Sequence, residues 1–118
     1  MEMNNPHDVC ANLPLTEATY FILLSLALGP RHGYLIMKDV RSLSRGRVTL
    51  RTGTLYGALK RMLETGWIQR VEGGETHSGR TRKAYIITGL GQRLLGAEVE
   101  RLEALVVAAR LRPVGETS

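Results

Sequence analysis

The side chains best suited to gripping a partner gather between Arg51 and Ile68, RTGTLYGALKRMLETGWI. Leu55, Ala58, Leu59, Met62 and Leu63 recur at i, i+3, i+4, i+7 and i+8, the period of an amphipathic helix, between a Thr52 cap and a Thr65-Gly66 stop. The opposite face carries Gly53, Tyr56, Gly57, Lys60 and, at its border, Arg61. Small, aromatic and cationic residues in that arrangement differ from the Glu/Lys alternation of a solvated helix. Two glycines near the start let the end of the helix press against a surface, where its free backbone N–H groups favour a phosphate. The plain alternative is a pair of poor helix formers, each costing roughly 1 kcal/mol against alanine.

A second cationic group follows at Arg80, Arg82 and Lys83, at the tip and on the returning strand of a hairpin whose loop reads GGETHSGRT. The acids Glu72 and Glu75 sit on the other limb, so the returning limb has the composition of a basic wing. Catalytic chemistry has no comparable basis. His7, His32 and His77 belong to no recognisable metal-ligand motif or catalytic set. Neither an enzyme, a metal nor a cofactor is expected. Cys10, the single cysteine, excludes an intramolecular disulfide and fits a cytoplasmic chain.

A chain of 118 residues, 43% hydrophobic and 23% charged, is expected to fold as one globular unit. Its net charge of +5 is unevenly spread: residues 1–30 hold three acids and no Lys or Arg, residues 31–93 hold thirteen basic residues against four acids, and residues 94–118 hold three against four. A basic middle between weakly acidic flanks points to nucleic acid or an acidic surface as partner, an anionic membrane included. The longest apolar run, Ala18 to Leu28, is interrupted by Thr19 and Ser25 and is too short to span a membrane, and no signal peptide precedes it.

The elements that must position these residues can be read in order. Residues 1–13 are polar and irregular, a loose arm. Thr16 caps a first helix in which Ala18, Phe21, Ile22, Leu24, Ser25 and Leu28 form one stripe with Tyr20, Leu23 and Ala27 beside it. A helix apolar nearly all round needs cover on two sides, and in a small chain the second cover is expected from another subunit. Gly29-Pro30 ends it; Arg31 starts a second helix with Tyr34, Leu35, Met37, Val40 and Leu43 apolar and Lys38 and Arg41 outward. Val48 to Leu50 reads as a strand stub. After the third helix, Trp67 to Glu72 and Lys83 to Thr88 read as paired strands. The last helix, from Gly89 to about Leu111 and capped by Thr88, carries a heptad-like seam of Leu95, Val99, Leu102, Val106 and Ala109.

Three helices, a stub strand, a hairpin and a long helix give a mostly helical α+β architecture: a winged helix-turn-helix over residues 14–88, a dimerisation helix over 89–111 and a tail over 112–118. In such a domain the third helix enters the major groove and the hairpin touches flanking backbone. The expected dimer contacts are Phe21 and Leu24 of the first helix against Leu95, Val99, Leu102 and Val106 of the last. A winged-helix module used only for protein contact shares this order, and the concentration of positive charge between Arg31 and Arg93 favours DNA over it.

The chain also resembles the PadR-type bacterial transcriptional regulators. The matching pieces are Gly29-Pro30-x-His32-Gly33-Tyr34, Gly53-Thr54-Leu55-Tyr56-x-Ala58-Leu59-Lys60-Arg61-Met62, Gly66-Trp67-Ile68, and Arg80-x-Arg82-Lys83-x-Tyr85-x-Ile87-Thr88-x-x-Gly91. The resemblance covers about residues 13 to 105 and its four motifs stand in order. It implies a homodimeric DNA-binding repressor of a near-palindromic operator, often released by a small molecule bound near the dimer interface. It puts Tyr56 and Lys60 on the DNA-facing side, with Arg51, Thr52, Gly53, Thr54 and Arg61 around them and Arg80, Arg82 and Lys83 on the wing. Where the family often has Ser-Pro before Gly-Thr-Leu-Tyr, this chain has Arg51-Thr52, which adds a cation near the phosphates. Its last helix has no aromatic residue on which a planar drug could stack.

Overall fold

The computed structural model describes residues 8–75 and 81–112, with side chains for all of these except 73–75, 81 and 82. Helix α1 spans Glu17–Ala27, and its cap is the expected one: the Thr16 side chain accepts from the Thr19 N–H. The chain leaves α1 through Gly29, whose φ of +143° strongly favours glycine. It then forms β1, Arg31–His32, and passes directly into α2, Gly33–Leu43.

This corrects two readings of the sequence. Arg31 and His32 are not the first helical turn; they pair antiparallel with Tyr85 and Ala84. Val48 to Leu50 is not a strand, because the buried Ser44 hydroxyl accepts from the Val48 N–H at 2.9 Å and satisfies that donor locally. Leu50 then turns into the core. On α2 the buried residues are Gly33, Ile36 and Val40, whereas Tyr34 and Leu43 are exposed. Ile36, absent from the apolar positions read in the sequence, is the one that fits the 3.6-residue period.

Helix α3 spans Thr52–Thr65 and buries Leu55, Ala58, Leu59 and Met62 of the stripe expected from its period, while Leu63 is half-buried at its edge. Its N-cap is Arg51 rather than Thr52, and no side chain caps it, since a guanidinium cannot accept from an amide. Gly66 at φ +82° ends the helix, with the Trp67 N–H returning to the Met62 carbonyl at 3.0 Å. The hairpin follows as β2, Ile68–Glu75, and β3, Thr81–Ile87, both longer than expected at the tip end. The sheet order is β1-β3-β2.

Helix α4 spans Gly89–Leu111 and is capped by Thr88, which accepts from the Gly91 N–H at 3.1 Å and donates to the Gly66 carbonyl at 2.6 Å. A side chain at position 91 would overlap the Trp67 carbonyl oxygen and come within 2.8 Å of Ile87 Cγ1. Glycine there lets α4 seat tightly on the base of the hairpin. Ile22, Leu23 and Leu26 of α1, Ile36 and Val40 of α2, the α3 stripe, Tyr85 and Leu94 with Leu95 form one core. Buried Ser25 donates to Asp39 at 2.7 Å, and Arg31 Nε reaches the same carboxylate at 3.4 Å, so one acid ties α1, β1 and α2 together.

The described part of the arm, residues 8–13, is more regular than its composition suggests. Cys10–Asn12 form a 3-10 turn, and Val9, Leu13 and Leu15 pack on the core. The anchor is Glu98 of α4, 2% exposed, which accepts from the Leu15 N–H at 2.9 Å and from both Arg101 Nε and a terminal guanidinium nitrogen. The Arg101 hydrogen bonds hold the Glu98 carboxyl below its ordinary range; burial opposes this, and the Leu15 N–H adds to it.

Candidate nucleic-acid interface

The side of α3 away from the core is a continuous exposed surface. Arg51, Thr52, Gly53, Thr54, Lys60 and Arg61 are exposed, Tyr56 is 46% exposed, and Gly57 is half-buried. Among the described residues none of Arg51, Lys60 and Arg61 has an ion-pair partner. Gly53 lies in helical backbone with nothing within 4 Å of where a β-carbon would be, and Gly57 would meet only the far end of Arg61, at 3.7 Å. Neither position needs glycine for internal space.

Tyr56 does not project straight outward. Its ring crosses to the start of α2, and together with His32, Gly33, Tyr34, Lys83 and Tyr85 it lines an open groove of about 670 Å³. The fold thus brings Tyr56 and Lys83, from separate motifs, to one depression between α3 and the hairpin. Lys83 is exposed and stands opposite Glu72 in the strand register. The backbone of Arg82 runs in β3; Arg80 and the side chain of Arg82 lie outside the described residues.

Sequence reading did not bring Tyr34 to this groove or pair it with Lys38. The two are four residues apart on the outer side of α2, and Lys38 Nζ sits 5.6 Å from the centre of the exposed Tyr34 ring. The i, i+4 spacing of an aromatic and a cation was the available signal.

A second surface lies along α4. Leu95 is not free for a partner: it is 8% exposed and packs with Leu94 in the protomer's own core. The reason is geometric, since the first half of α4 lies on α1 and β3. Val99 and Leu102 are half-buried, Val106 is 49% exposed, and Leu105, Val107 and Leu111 are exposed as well. Tyr20, Val99, Leu102, Glu103, Val106 and Arg110 border a groove of about 530 Å³. Phe21 and Leu24 are half-buried against the core, and Phe21 meets the Tyr20 ring edge-on.

Among the described residues no His, Cys, Asp or Glu group is arranged to hold a metal, and no helix is long and apolar enough to cross a membrane. The family model of the transcriptional regulator PadR-like family matches residues 22–97, from α1 through the buried half of α4. The chain belongs to the PadR-like family of transcriptional regulators.

Members of the PadR-like family are regulators of transcription rather than enzymes. A PadR family transcription regulator from Clostridium difficile is 29% identical, with a TM-score of 0.69, covering 81% of this chain and 97% of that one. A transcriptional regulator from Clostridium thermocellum is 27% identical, with a TM-score of 0.64, covering 80% and 91%. Bacillus subtilis PadR, solved in complex with operator DNA, shares the fold at 22% identity and a TM-score of 0.62, covering 73% of this chain and 47% of its own. No curated protein matches the chain in sequence. This PadR-like chain is a winged helix-turn-helix, with α3 as its third helix and β2–β3 as its hairpin, followed by one long C-terminal helix.

Proposed function

We propose that this PadR-like regulator is a homodimeric, cytoplasmic repressor that binds a near-palindromic operator in double-stranded DNA and is released by a small-molecule effector. The observation that carries the reading is the division of α3. One face is fully committed to the core, while the other offers Thr52, Gly53, Thr54, Tyr56, Lys60 and Arg61 to solvent with open space beside Gly53. A glycine that no neighbour requires costs helix stability, and close approach of a DNA strand gives it a purpose.

In this reading Arg51 and the uncapped first turn of α3 meet phosphate, Tyr56, Lys60 and Arg61 line the major groove, and Arg80, Arg82 and Lys83 hold flanking backbone. The operator complex of Bacillus subtilis PadR supports DNA as the partner. The apolar residues left exposed on α4 support a second copy as the other partner, and the groove bordered by Tyr20 and Val106 is a natural seat for an effector beside that contact.

The test is selection of bound duplexes from genomic fragments, followed by titration of one selected duplex against salt concentration. Lys60→Ala is expected to weaken binding to every sequence and to lower the salt slope by about 1 if the contact is to phosphate. A folded Lys60→Ala protein with unchanged affinity and slope would remove Lys60 from the interface. A wild-type protein that selects no duplex and shows no salt-dependent retention on random DNA would favour a module for protein contact instead.

A further inference from the structure

Gly33 is the first residue of α2, is buried, and has no positive φ, so its backbone is one that any residue can adopt. What it supplies is room. A β-carbon built at Gly33 would overlap the Tyr56 hydroxyl and stand 2.9 Å from Tyr56 Cζ, while the next neighbour, Leu55 Cδ2, would remain at an ordinary 3.5 Å. The obstacle is thus the end of one side chain rather than backbone, and that side chain is 46% exposed, with space to swing away. Tyr34, exposed, and Lys83 border the same groove, so a displaced ring would change the shape of the depression between α3 and the wing.

We infer that Gly33 is a positioning residue for DNA recognition: its missing side chain is the notch that seats the Tyr56 hydroxyl and aims the exposed part of the ring along the groove between α3 and β3. The inference rests on the reading of α3 as the DNA-contacting helix. It makes a residue on a different element, with no exposed atoms of consequence, govern the geometry of an interface residue. Fixing the ring before DNA arrives avoids ordering it on binding.

The experiment is a double-mutant cycle of Gly33→Ala and Tyr56→Ala, with binding of the full chain to the selected duplex read by fluorescence anisotropy and folding read by thermal melting. Gly33→Ala is expected to weaken binding roughly tenfold, the scale of one good contact, with a melting temperature close to wild type. In the Tyr56→Ala background the same substitution is expected to change affinity by no more than about twofold, since the side chain it displaces is gone. Equal losses of affinity in the two backgrounds would overturn the inference, as would a Gly33→Ala protein that binds normally or fails to fold. If Tyr56→Ala alone leaves affinity unchanged, the assignment of Tyr56 to the DNA interface fails first, and the inference falls with it.

Discussion

The glycines of the chain divide into positions with internal causes and positions without. Gly91 and Gly33 have neighbours that a side chain would strike, and Gly66 has a φ of +82°. Gly53 and Gly57 have none of these, although they lie in a helix, where glycine is costly. Gly57→Ala is therefore expected to raise the unfolding free energy by about 0.5–1 kcal/mol while weakening binding to the selected duplex. Chemical denaturation and a titration on the same sample check both signs. Greater stability with full affinity would mean that DNA does not approach that face. The contrast was half legible in the sequence, where the glycine pair stood out on the polar face but looked no different from Gly33. Only the packing of Tyr56 across α2 separates a glycine kept for its own protein from one left for a partner.

At the scale of elements, the fold is joined at points the hydrophobic pattern does not reveal. The amphipathic period located the buried stripe of α3 and the cap residues Thr16 and Thr88 of α1 and α4, because each is a local property of a few adjacent residues. Glu98 was invisible to that logic. A carboxylate in a seam of leucines reads as solvated until the Leu15 N–H and the Arg101 guanidinium are brought to it. Its carboxyl is held below the ordinary range in the folded state, so the stability it contributes is present above the unfolded carboxylate value and is lost as pH falls through the folded one. Melting temperature is accordingly expected to drop on acidification below about pH 4.5. In Glu98→Gln part of that drop should disappear, while an amide oxygen can still accept from Leu15. Glu98→Ala should cost about 1–3 kcal/mol at neutral pH by leaving the Leu15 N–H unpaired. An identical acid profile for wild type and Glu98→Gln would show that other groups control it.

The molecule as a whole measures 62 Å along its longest axis and 23 Å along its shortest, and the second half of α4 carries its apolar residues into solvent. A two-fold dimer closed by that half would set two α3 helices roughly 34 Å apart, one turn of DNA, so that each half of a near-palindrome meets one subunit. Leu102 lines the groove beside Tyr20, and a carboxylate buried there under a second subunit would cost several kcal/mol if left unpaired. Leu102→Glu is expected to give a monomer or an aggregate with lost DNA binding. Glu103 borders the same groove, so reversing its charge is not a neutral control. Ala104, exposed and about 200° around the helix from Leu102, is a better one, and Ala104→Glu should remain a dimer. Light scattering distinguishes the two, and a folded Leu102→Glu dimer with normal affinity would show that α4 does not hold the subunits together.

By itself the sequence determined the order and type of the helices and the hairpin, the Thr16 and Thr88 caps, most of the buried stripe of α3 and the winged helix-turn-helix class, since periodicity, capping chemistry and turn residues act over a few adjacent positions. The tertiary structure decided what depends on residues distant in the chain. It moved the third strand from Val48–Leu50 to Arg31–His32, where β3 supplies an unpaired edge. It drew Leu95 into the chain's own core and tied the Leu15 N–H to Glu98. It also laid Tyr56 over Gly33. Apart from the Ser44 hydroxyl that takes the Val48 N–H four residues on, the deciding partners lie more than twenty residues away, and no local pattern records which of several exposed hydrogen-bonding groups or apolar faces will find the other first.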